Sequence, residues 1–100
     1  MSKASTPSSK PIAVFASLTG RVQGVGFRYS AYREGQRLGL SGWVRNTGAG
    51  GVEAFFQGRE EKVESFLAWL RIGPPGARVD NLDYRRVKPQ EDAGPFTVSY

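Results

Sequence analysis

A chain of 100 residues without cysteine or histidine is the usual size of one domain, and it excludes disulfide staples, thiolate chemistry, cysteine-based zinc sites and imidazole as base or ligand. Hydrophobic residues make up 39% and charged residues 23% of the chain, the balance of a soluble globular protein, and no apolar run approaches the ~20 residues needed to cross a bilayer. The net charge of +5 comes from 14 basic and 9 acidic residues; without Lys3 and Lys10 it is 12 against 9, enough to draw anions but too weak and interspersed to signify nucleic acid.

Met1 to Lys10 is polar and Ser/Pro-rich, with none of the apolar centre of a secretory signal. It reads as a flexible tail of residues 1–10 ahead of one domain over 11–100, and a cytoplasmic location follows by default. Ile12 to Thr19 (IAVFASLT) is rich in β-formers and predicts a first strand ended by Gly20, after which Gly24 and Gly26 mark a loop. From Phe27 to Leu38 the residues Phe27, Ala31, Gly35 and Leu38 fall on one helical stripe, with Arg33, Glu34 and Arg37 among the flanking positions. Gly39 stands where a left-handed cap is expected, with Leu40 beyond it for the accompanying apolar contact.

Leu40 to Arg45 and Gly51 to Gln57 are β-like runs joined through Asn46-Thr47-Gly48-Ala49-Gly50, which predicts a hairpin with a longer loop. In the second run Val52, Ala54 and Phe56 alternate with Glu53, Phe55 and Gln57, so one face is expected to be buried and the other largely wet. A second helix follows. Val63, Phe66, Leu67 and Leu70 have its spacing, Glu60 and Glu61 occupy its first turn, and Gly73-Pro74-Pro75 stops it. Arg78 to Val87 reads as a fourth strand and Phe96 to Tyr100 as a short fifth after the polar loop Pro89 to Gly94. The order β-α-β-β-α-β with a terminal strand predicts an α+β, ferredoxin-like sandwich: a 4–5-stranded antiparallel sheet, mixed at its edge, with both helices on one face.

The segment Gly20-Arg21-Val22-Gln23-Gly24-Val25-Gly26-Phe27-Arg28 runs from a strand end through glycines into a helix start. Such a turn lets successive N–H groups converge beside unpartnered first-turn donors and a partial positive charge, which suits a phosphate. Arg28 is a cation at the electrostatically wrong end of its helix, a mismatch of ~0.3–1 kcal/mol that a bound anion would reverse. Its planar fork can grip two phosphate oxygens. The alternative is an arginine lying along the helix surface, and both readings stand. Asn46 closes the second strand at the same sheet end. It is either a turn former or the neutral carboxamide that orients water without repelling phosphate, a need in a hydrolase lacking His and Cys.

Other signatures are missing. GxxxxGK[ST] is absent, Tyr29 stands where a dinucleotide fingerprint needs its third glycine, and no acidic cluster suits a metal ion. Glu53 reads as a surface or ion-paired group, and Trp43 and Trp69 as packing residues.

Gly20-x-Val22-Gln23-Gly24-Val25-Gly26-Phe27-Arg28 resembles the first signature of the acylphosphatase family. Gly42-Trp43-Val44-Arg45-Asn46-x-x-x-Gly50-x-Val52, with Gly58 beyond, resembles its second. The likeness runs from about Pro11 to Tyr100 and includes Gly73-Pro74-Pro75-Gly76-Ala77 and the closing Phe96-x-Val98-x-Tyr100. It implies hydrolysis of an acyl phosphate to a carboxylate and inorganic phosphate. The backbone N–H groups of Gln23, Gly24, Val25, Gly26, Phe27 and Arg28 and the Arg28 side chain would bind the phosphate, and Asn46 would position the water. The water's proton would pass to the substrate's own phosphate oxygen, and a carboxylate leaves without an acid to protonate it.

No cofactor, metal, nucleic-acid or membrane partner is expected, phosphate or sulfate should compete, and nothing demands more than a monomer. Many family members carry an acidic residue where Ala49 stands, which predicts altered loop rigidity rather than lost activity. Two rivals share the layout. An RNA-binding module would need several aromatics exposed on its third strand, where only Phe55 stands beside Glu53 and Gln57. A non-catalytic anion-binding domain, alone or within a larger acyl-transfer enzyme, would not need the Arg28 and Asn46 pair.

Overall fold

The computed structural model describes residues 10–99, so the expected tail, apart from Lys10, and Tyr100 lie outside the described residues. In chain order the elements are β1 (Ile12–Arg21), α1 (Phe27–Arg37), β2 (Ser41–Asn46), β3 (Val52–Gly58), α2 (Glu60–Ile72), β4 (Arg78–Val87) and β5 (Thr97–Val98). The five strands form one sheet in the order β4-β1-β3-β2-β5. All pairings are antiparallel except β2 with β5, which is parallel. The fold is ferredoxin-like, an α+β sandwich of two helices on a five-stranded mixed sheet.

Alternation decides which face of the sheet meets the helices. Val14, Ala16 and Leu18 of β1 and Val52, Ala54 and Phe56 of β3 are buried, as are Phe27, Ala31 and Gly35 of α1 and Val63, Phe66 and Leu70 of α2. Phe66 is the hub, its ring centroid lying 4.7 Å from Phe56, 5.3 Å from Phe96 and 6.1 Å from Trp69. Full burial of such a ring contributes ~1.5–3 kcal/mol. Leu67, placed in the α2 stripe by spacing, is half-buried at the margin of this core. Gly35 lies mid-helix because Phe96 fills its place: a Cβ there would meet the Phe96 ring at 2.7 Å.

Helix ends follow the expected chemistry. At the end of α1 the Leu40 N–H donates to Gly35 O at 2.9 Å and the Gly39 N–H to Gln36 O at 3.0 Å, with Gly39 at φ 72° and Leu40 buried. These paired bonds satisfy two of the last carbonyls, and a left-handed residue is needed to make them.

Two expectations are corrected. Gly20 does not end β1: the strand continues to Arg21 through a register shift at Thr19/Gly20, a bulge that leaves its hydrogen-bonding partner in place. The second face of β3 is also not wet. Phe55 and Gln57 are both buried, because material distant in sequence covers them. Phe55 stacks on Trp43 at 6.3 Å, Trp43 meets Phe15 edge-on at 6.2 Å, and the Gln57 side chain exchanges two 2.8 Å hydrogen bonds with the Gln90 backbone. Arg45 and Arg85 lie over Trp43 and Phe15, at 4.8 and 5.1 Å from the ring centroids. The aromatics on this face are therefore three, drawn from three strands, and Phe55 has no free face for a stacked base.

Topology places the site. β1, β2 and β5 all run in one direction, so their C-terminal ends share one edge of the sheet. Leu18 and Asn46 both pair with Val52 of the intervening β3, which puts Asn46 about two strand spacings, ~10 Å, from β1. The loop into α1 leaves from that edge.

Candidate functional site

Buried Val22 and Phe27 anchor the two ends of the loop between β1 and α1. Between them Gly24 (φ 77°) and Gly26 (φ 75°) take the left-handed conformation that bends the chain back on itself. A Cβ at either position would meet nothing within 4 Å, so these glycines serve backbone shape and the space before them stays open. Gly26 caps α1 without a side-chain hydrogen bond, and the first turn holds no acidic residue.

A cleft of about 230 Å³ opens in front of this turn. Gln23, Gly24, Gly26, Phe27 and Arg28 line it from the loop and helix start, Asn46 from the end of β2, and Val22, Tyr29 and Val98 complete its walls. Sequence reasoning named most of this lining. Val25 is the exception: it does not line the cleft, and its half-buried side chain packs against the core. Arg28 is half-buried and its guanidinium donates to the Ser99 carbonyl at 3.4 Å. Asn46 is also half-buried, and the Ala49 position in the adjoining turn is exposed.

The turn after Asn46 is closed from within. The Thr47 N–H donates to Gly51 O at 2.9 Å, the Gly51 N–H to Thr47 Oγ1 at 3.0 Å and the Gly50 N–H to Thr47 O at 3.3 Å. It is also held from outside, because Gln23 Nε2 donates to Thr47 O at 2.9 Å and to Gly51 O at 2.8 Å. The loop and the hairpin are thus joined by a side chain that sequence reasoning used only for its backbone N–H. Its signal was present: a carboxamide with two donors set in a glycine turn. Tyr29, 61% exposed at the rim of the cleft, was read only as the residue that breaks a dinucleotide fingerprint. An exposed ring beside two polar side chains is its only mark in sequence.

The remaining candidates take packing or surface roles. Glu53 accepts two hydrogen bonds from Arg45, at 2.7 and 3.0 Å, which occupies it in an ion pair on the far side of the sheet. Trp69 lies in the core margin, 5.5 Å from Phe27. A hydrogen bond from Arg78 holds the Asp80 carboxyl below the usual carboxylate range, in an exposed pair on β4 outside the cleft. Among the described residues no group of three His, Cys, Asp or Glu could hold a metal ion, and no helix is long and apolar enough to cross a membrane. A wider groove of about 690 Å³ between α1 and α2 contains none of the predicted site residues.

The chain is similar to known proteins across its described length. The acylphosphatase family model matches residues 14–98. The acylphosphatase of Azoarcus sp. is 49% identical over 88 residues, 88% of this chain and 90% of that one. The crystal structure of acylphosphatase from Bacillus subtilis superposes with a TM-score of 0.85 at 32% identity, over 89% of this chain and 99% of that one. The structure of T. kodakarensis HypF matches at a TM-score of 0.77 and 36% identity, over 89% of this chain but 12% of that larger protein.

Proposed function

This chain belongs to the acylphosphatase family, hydrolases that act on acyl phosphates, and from that premise we propose how its own residues carry the reaction. The amides of the Gln23 to Arg28 turn cradle the phosphoryl group, where the start of α1 adds its partial positive charge. The Arg28 guanidinium grips two of its oxygens and meets the charge that spreads over them as the bond to the leaving group stretches.

Asn46 holds the attacking water, its carboxamide oxygen accepting from the water and its N–H donating. The water oxygen bonds to phosphorus in line with the acyl oxygen. The phosphorus–acyl oxygen bond breaks, and its electron pair leaves on the carboxylate. The water's proton moves to a phosphate oxygen. No protein base enters, and none is needed, because a carboxylate departs unprotonated. Catalysis is then positioning and electrostatic fit. Inorganic phosphate and sulfate compete for the same cradle. The residues assigned to the reaction all come from one chain, so the mechanism calls for no second copy, and we take the protein to act as a monomer in the cytoplasm.

One observation carries this reading: Arg28, from the start of α1, and Asn46, from the end of β2, line the same cleft as the two left-handed glycines. Hydrolysis of benzoyl phosphate by wild type, Arg28→Ala and Asn46→Ala tests it, with circular dichroism as the folding check. Each variant is expected to stay folded and lose about 10²–10³-fold in kcat, the usual loss of a preorganised donor at a transition state. Undiminished turnover in either variant removes the role given to that residue.

A further inference from the structure

We propose that the Gln23 side chain is a positioning residue for Asn46, fixing the water-holding carboxamide relative to the phosphate cradle; this rests on the roles proposed above for both. Gln23 is the first residue of the cradle after the buried Val22 anchor. Its single carboxamide nitrogen spends both N–H groups on the hairpin, at 2.9 Å to Thr47 O and 2.8 Å to Gly51 O. Those two carbonyls bracket the turn that begins at the residue after Asn46.

The bonds are redundant for holding the turn closed. Thr47 O also accepts from the Gly50 N–H, and Gly51 O also accepts from the Thr47 N–H, so each carbonyl uses a second lone pair for Gln23. Without Gln23 neither is orphaned and the hairpin keeps its own ladder. What disappears is a side-chain link between the loop after β1 and the turn after β2. Close packing fixes the base of the hairpin, where a Cβ on Gly51 would meet Leu18 O at 2.4 Å, but it does not set the tilt of the turn against the loop. That tilt governs the distance from water to phosphorus, and a misplacement of about 1 Å costs about 10²-fold in rate.

The cradle's internal shape comes from Val22, Phe27 and the two glycines, not from this link. Turnover and phosphate binding should therefore separate. In Gln23→Met, near in size but without donors, kcat for benzoyl phosphate is expected to fall by about 10–100-fold, while the inhibition constant of inorganic phosphate stays within about threefold. In an Asn46→Ala background the same change should cost less than about twofold in kcat, because the group it positions is gone.

Additive losses in that double-mutant cycle, or equal weakening of turnover and phosphate inhibition, would overturn the proposal. Should Gln23→Met fail to fold, Gln23→Asn carries the same test with an amide one methylene too short. If Asn46→Ala alone keeps full turnover, the underlying site assignment and this proposal both fall; if it loses turnover and the cycle is additive, only the positioning role falls.

Discussion

The starts of the two helices are built by opposite rules. At α2 the extended N-cap Arg59 is ion-paired with Glu61 at 3.5 Å, Glu60 and Glu61 occupy the first turn and Arg71 the last, so two carboxylates stand at the start of the helix dipole and a cation at its end. At α1 the cap is a left-handed glycine without a side-chain bond, no acid stands in the first turn, and the charged residue there is Arg28, a cation. The α2 start carries its own anions; the α1 start would gain one only from a ligand in front of it. Acids at the start of one helix and a cation at the start of the other, with a cleft lying before the latter, support the anion site proposed above. Packing alone does not require Arg28, because the buried stripe of α1 is Phe27, Ala31 and Gly35.

That contrast can be broken at several points. The largest effect is the loss of turnover expected in Arg28→Ala and Asn46→Ala, against a turnover within about twofold of wild type when charges are removed at α2. A smaller one concerns Gly26, whose φ of 75° costs a residue with a Cβ ~1–2 kcal/mol. Gly26→Ala should lower stability by about that amount in urea denaturation and also weaken phosphate inhibition; unchanged inhibition would mean that the turn's shape is not what the anion reads. The smallest effect belongs to Glu60→Gln and Glu61→Gln, each expected to cost ~0.3–1 kcal/mol of stability, less at high salt. An accompanying fall in activity would deny that the α2 start is purely structural.

The parts of this design that follow from local rules were legible in the sequence. The α1 stripe and its Gly39 cap need residues within one or two turns of each other, and so does the stop of α2 at Gly73. The two sides of the candidate cleft were legible because each is a short run with its own chemistry, glycines leading to Arg28 and a strand ending at Asn46. What was hidden depends on residues remote in the chain. The Gln23 bonds span 24 and 28 positions. Phe55 and Gln57 are buried by Trp43, Phe15 and the backbone at Gln90, and alternation within β3 carries no trace of that cover. Gly35 in mid-helix makes sense only once Phe96 is seen against it, and Gly20 only once its bulge meets the Arg78 carbonyl, 2.2 Å from where a Cβ would stand.

An amide NMR titration of the full chain with inorganic phosphate asks directly whether the α1 start is the unfinished one. The account predicts saturable shifts in the backbone amides of Gln23 through Arg28, with smaller ones around Asn46, none at Glu60 through Val63, and all of them lost in Arg28→Ala. Silent amides from Gln23 to Arg28, or shifts centred on the start of α2 or on the groove between the helices, would contradict it.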